Sequence, residues 1–82
     1  MKQQEIGYVD DSVITTRVRT AVFNEPTLKS AEINVETFNG VVQLSGFVRS
    51  DTEERNVTEL ARSITGVKLV QDDMWVLGRD YR

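Results

Sequence analysis

An Asn39-Gly40 pair stands between two segments of alternating polarity, 31–38 and 41–48, and it constrains the fold more than any other feature of the chain. A two-residue hairpin loop of type I′ needs positive φ at both central residues, which Asn and Gly tolerate best. With these two as the loop, Phe38 faces Val41, Thr37 faces Val42, Val35 faces Leu44 and Ile33 faces Gly46. The face made by Ile33, Val35 and Thr37 then meets Val42, Leu44 and Gly46, and Val48 extends it. A slip of one residue would turn all of these side chains to the wrong face. Turn chemistry and polarity therefore agree on one register. Gly40 is expected to serve the turn. Gly46, bare on the core face, is expected to let a helix approach closely.

Helical stripes flank the hairpin. Asp10-Asp11-Ser12 offers three N-cap candidates, and carboxylates suit the positive end of a helix dipole. Ile14, Val18, Ala21 and Val22 follow at i, i+4, i+7 and i+8, one apolar stripe. Pro26 disfavours helical geometry at Glu25, so a first helix is predicted over 12–24. Past the hairpin, Ser50-Asp51-Thr52-Glu53 reads as a capping box. Val57, Leu60, Ala61 and Ile64 continue the helical period, and Gly66 suits the left-handed residue that closes a helix. This predicts a second helix over 51–65 with Leu60 central to the core, where truncation to Ala is expected to cost about 2–5 kcal/mol.

A last strand is predicted over 69–77, with Val70, Met74 and Val76 facing the helices. Asp72 shares their parity. It is expected at a bulge or hydrogen-bonded to backbone, because an unpaired buried carboxylate is costly. The order α-β-β-α-β predicts an α+β fold, two helices packed on one face of a three-stranded mixed sheet. The helical crossover makes the last strand parallel to the second and leaves open which strand it borders. Residues 1–9 read as a loose lead-in, 10–77 as a single domain and 78–82 as a tail.

Composition narrows the chemistry. Eighty-two residues make one small domain with no room for a deep pocket of its own. Cys and His are both absent, which excludes a disulfide framework, a thiol nucleophile, an imidazole-ligated metal and a catalytic triad. The carboxylate pairs form no dyad: Asp72 and Asp73 are strand neighbours and point to opposite faces. Glu53 and Glu54 suit a helix N-terminus, and no calcium-loop spacing is present. The chain is expected to be no enzyme and to hold no cofactor or metal. Its 10 basic and 13 acidic residues give a net charge of -3, which argues against nucleic acid. No apolar run approaches the roughly 18–20 residues that span a bilayer.

Two outward surfaces are left. The first is the exposed face of the first helix, with Arg17, Arg19 and Phe23 beside Thr16 and Thr20. Phe23 lies about 155° from the centre of the apolar stripe at 100° per residue. It either folds back over the core rim or stands exposed beside Arg19, suited to a lipid headgroup boundary. The second is the sheet face away from the helices, where Phe38, Val41, Phe47, Trp75 and Leu77 sit among Glu36, Gln43, Ser45 and Asp73. Left open, such a group marks a contact site for a second copy, another module or an unfolded client. Alternatively Ile6, Tyr8, Val9 or Tyr81 covers it within the monomer.

Several stretches taken together resemble the BON domain: Asp-Asp-Ser-x-Ile-Thr at 10–15, Lys-Ser at 29–30, Asn-Gly-Val-Val-Gln-Leu-Ser-Gly-Phe-Val at 39–48 and Ile-Thr-Gly-Val-x-x-Val at 64–70. The resemblance covers about residues 10–77 and implies the same α-β-β-α-β order. It implies a non-enzymatic module of the Gram-negative cell envelope, tied to osmotic and envelope stress. The implied partner is an anionic phospholipid or another envelope component, bound weakly and peripherally. In some members of the family the role is chaperone-like holding of clients. Many members carry two copies, whereas this chain shows one. Gly40, Gly46 and Gly66 match shared glycines that read as structural. A periplasmic location is implied, so a signal segment is expected to have been removed or to lie outside these residues.

Overall fold

The hairpin forms in the expected register. In a computed structural model that describes residues 9–28 and 31–78, β1 (Glu32–Phe38) and β2 (Val41–Val48) pair antiparallel, with Phe38 opposite Val41, Val35 opposite Leu44 and Ile33 opposite Gly46. Asn39 and Gly40 have φ of 51° and 81°, the signs that a type I′ loop demands. Before the hairpin come α1 (Asp11–Phe23) and a short 3-10 turn (Pro26–Leu28); after it come α2 (Asp51–Arg62) and β3 (Leu69–Val76). The sheet order is β1-β2-β3, and β3 runs parallel to β2. The last strand thus borders the second, and β2 is paired on both sides.

Both helices lie on one face of this α+β fold. Ile14, Val18 and Val22 of α1 and Val57 and Ala61 of α2 share one buried cluster with Val35, Val42, Leu44, Val48, Met74 and Val76 of the sheet. All six strand residues have the helix-facing parity. Leu60 departs from expectation. It is only partly buried, on the rim beside Glu25 and Asn56, so Val57 and Ala61 are the residues of α2 that reach the centre. Truncating Leu60 therefore leaves little cavity, and its cost falls below the range for a fully buried leucine.

The hairpin turn is fastened by a residue far away in sequence. Asp11, in the first turn of α1, accepts hydrogen bonds from the N–H of Asn39 on Oδ2 (2.8 Å) and from the N–H of Gly40 on Oδ1 (3.0 Å). These are the two amides that a two-residue loop leaves without a strand partner. Lys68 N–H donates to the Gly40 carbonyl (2.8 Å), which ties the approach to β3 to the same turn. The Thr15 hydroxyl donates to that of Thr37 (2.7 Å) one helical turn along. Asp10 occupies the N-cap position of α1 without a side-chain cap bond.

At α2 the Ser50 hydroxyl accepts from Glu53 N–H (3.1 Å), while Glu53 Oε1 accepts from Arg49 N–H (2.7 Å). This is a capping box whose return bond falls one residue early. The helix stops at Arg62, three residues before the expected end, with Ser63 as its C-cap. Gly66 (φ 98°) therefore does not cap the helix. It takes the third position of a turn closed by Val67 N–H on the Ile64 carbonyl (3.2 Å), where a type II turn requires positive φ. Gly46 also differs from its expected role. Its φ is 114°, and a Cβ there would overlap the carbonyl oxygen of Glu32. The close approach is made by the backbone of β1, not by a helix. Asp72 keeps the helix-facing parity but stands exposed, and its Oδ1 accepts from Met74 N–H (3.0 Å). The β2–β3 register runs through it without a bulge.

Asp11→Ala removes a charged acceptor shared by two turn amides. It is expected to lower the unfolding free energy by about 1.5–3 kcal/mol, read as a lower urea midpoint at unchanged slope. An unchanged midpoint would show that the clasp adds no stability. Gly46→Ala is expected to destabilise further, because it forces both a backbone overlap and a left-handed alanine.

Candidate functional site

The buried stripe of Ile14, Val18 and Val22 sets the rotation of α1. That rotation places Arg19 and Phe23, one turn apart, along a groove of about 790 Å3 between α1 and β1. Val22, Leu28, Ala31, Ile33 and Val35 give the groove its apolar lining, Thr20 and Asn24 join the rim, and among the described residues no carboxylate lines it. Phe23 is 84% exposed. Of its two expected placements, the fold over the core rim is thus overturned. The helix is already closed by Asn24, whose N–H donates to the Thr20 carbonyl (2.9 Å). Arg17 is exposed as well. Two residues from Arg19, it lies about 160° around the helix and does not line the groove. The structure brings Arg19 and Phe23 together and leaves Arg17 on another flank.

Cross-strand pairing sorts the open sheet face into four rows. They are Phe38–Val41–Leu69, Glu36–Gln43–Gln71, Asn34–Ser45–Asp73 and Glu32–Phe47–Trp75. Apolar residues hold both ends and polar residues hold the middle, where Gln43 Nε2 donates to Asp73 Oδ2 (2.8 Å). The expected single apolar group is therefore two. One holds Phe38 (75% exposed), half-buried Val41 and Leu69; the other holds Phe47, Trp75 (61% exposed) and Leu77. A strand rise of about 3.3 Å per residue sets Val41 and Phe47 roughly 20 Å apart along β2.

Leu69 was absent from the expected contact residues, although its parity with Trp75 and its place opposite Val41 mark it. Val9, one of the expected covering residues, packs against the buried cluster instead, close to Gly66. Ile6, Tyr8 and Tyr81 lie outside the described residues, as do Lys29 and Ser30.

Among the described residues no three carboxylates gather as a metal cage, and no charged or polar side chain is buried. Asp72 and Asp73 fall on opposite sides of the sheet, Asp73 against Gln43 and Asp72 beside Arg55 and Thr58 of α2. Among the described residues the α1–β1 groove offers one cation, Arg19, one aromatic ring, Phe23, and an apolar lining. These are means of contact: dispersion, desolvation and charge attraction.

The BON domain family model matches residues 10–78. The chain is 38% identical over 70 residues to osmotically-inducible protein Y of Escherichia coli (strain K12), a match that covers 85% of this chain and 35% of that protein. The chain thus spans about a third of the length of this curated relative.

Trp75 reports on the second apolar end of the sheet. It is expected to emit as a solvated indole at low protein concentration and to be quenched by iodide. A blue shift that grows with concentration would mean that a second copy covers this end.

Proposed function

The chain belongs to the BON domain family, and we propose that it is a non-enzymatic attachment module of the periplasm that docks on anionic phospholipid during osmotic or envelope stress. The observation that carries this reading is the Arg19–Phe23 pair along the α1–β1 groove. A phenylalanine this exposed has apolar surface to remove from water at the headgroup boundary, worth about 1.5–3 kcal/mol on full burial. The neighbouring guanidinium adds about 1 kcal/mol against an anionic surface. Together these terms place a single contact near the millimolar range. The net charge of -3 gives no general attraction to such a surface, so docking depends on this local cation. The relative's name, osmotically-inducible protein Y, supports the link to osmotic stress. Its greater length leaves room for further modules, and linked weak sites gain strength by effective concentration.

A second reading rests on the open sheet face. Its two apolar ends, Phe38 with Leu69 and Phe47 with Trp75, suit a protein partner, either another copy or an extended client.

Co-sedimentation with vesicles containing phosphatidylglycerol separates the two. Arg19→Glu and Phe23→Ser are each expected to reduce the bound fraction, and salt is expected to weaken binding further. Arg17→Glu, on the other flank, is expected to matter less. If the Arg19→Glu/Phe23→Ser double variant sediments like the parent, the lipid reading fails. Trp75 burial without vesicle binding would favour the second.

A further inference from the structure

We propose that Asn39-Gly40 is a deamidation site held closed by Asp11. The chemistry belongs to the dipeptide. The Gly40 backbone nitrogen, after losing its proton to solvent, attacks Cγ of Asn39. A C–N bond forms and ammonia leaves, which gives a five-membered succinimide. Water then opens either C–N bond of the ring, giving Asp at one carbonyl and isoaspartate at the other. Overall one water is consumed and one ammonia released. Glycine offers the least hindrance to this attack, and Asn39 is exposed, so its side-chain amide and the leaving ammonia are open to water, whereas Gly40 is buried.

Two features of the fold oppose the first step. The positive φ values of Asn39 and Gly40 define a type I′ turn, in which ψ of Asn39 mirrors the value of about −30° found in type I. With that ψ the Gly40 nitrogen lies nearly anti to Cβ of Asn39, and the ring closes only if the Asn39–Gly40 peptide rotates. Asp11 blocks that rotation, because its two carboxylate oxygens hold the N–H groups on either side of Asn39 (2.8 and 3.0 Å). The oxygen on Gly40 N–H also opposes loss of that proton, since an amide anion would form against a carboxylate. The nucleophile is tied by the residue that fastens the hairpin.

The products feed back on the clasp. Asp at position 39 sets a new carboxylate beside that of Asp11. Isoaspartate routes the main chain through the side chain and lengthens a loop that fits only two residues. Either product loosens the turn that Asp11 holds. The site therefore records how long the clasp has been open.

The experiment incubates the full chain and a peptide of residues 35–45 at neutral pH and physiological temperature. Mass spectrometry follows conversion at Asn39, and isoaspartyl methyltransferase labelling identifies the isoaspartate. The peptide is expected to convert while the folded parent stays largely intact. Asp11→Ala is expected to convert roughly tenfold faster than the parent or more, the rate equivalent of losing one charge-assisted hydrogen bond. Asp11→Asn, which keeps one acceptor oxygen, is expected to fall between them and serves if Asp11→Ala does not fold. Val57→Ala, whose truncation in the core is remote from the turn, controls for general unfolding at matched melting temperature. The proposal is overturned if the Asp11 variants convert at the parent's rate, if Val57→Ala converts as fast as they do, or if the parent converts as fast as the peptide.

Discussion

One carboxylate joins parts of this domain that lie far apart along the chain. Asp11 opens α1, yet its oxygens are bound to the amides of Asn39 and Gly40 at the far end of the hairpin. Lys68 donates to the carbonyl of the same glycine as the chain enters β3. Three separate segments are therefore tied at one turn. This matters because a three-stranded sheet depends on what covers its apolar face, and the turn adds a directional bond to the buried cluster that holds the helices there. A parallel β2–β3 pair is closed only after a whole helix has been crossed, so its ordering depends on contacts distant in sequence. The turn supplies a fixed point for both the helix layer and the third strand.

Local rules made most of the fold legible. The hairpin register followed from the agreement of turn and alternation around Asn39-Gly40, and both helices followed from stripes and caps close in sequence. What stayed hidden was decided by residues that meet across the fold. Asp11 looked like a helix-start residue because nothing in its neighbourhood points to an amide some thirty positions away. Gly46 was assigned to helix packing, whereas the backbone of β1 occupies the space and φ is positive. Leu60 shares the period of Val57 and Ala61, but a stripe has two edges, and periodicity does not say which edge the sheet covers. Asp72 violated the parity rule in sequence. It is exposed at the sheet margin and satisfied by a backbone amide.

The candidate contact residues were legible by type and less so by arrangement. Arg17 and Arg19 look equivalent in sequence, but two helical positions carry them to opposite flanks, so only Arg19 shares a groove with Phe23. On the sheet, parity named the outward residues correctly, while pairing decided which of them are neighbours. The polar rows of Glu36–Gln43–Gln71 and Asn34–Ser45–Asp73 part the apolar ends. A surface divided this way disfavours featureless hydrophobic sticking, because a flat apolar partner would have to strip water from the polar middle.

The bond from Met74 N–H to Asp72 has a consequence for assembly. An outer strand is a template on which a foreign strand can grow, one amide at a time. An amide already given to a carboxylate is a missing rung on that template, and the adjacent charge repels an approaching main-chain carbonyl. A defect built into the margin of β3 therefore disfavours the knitting of two copies' sheets into one.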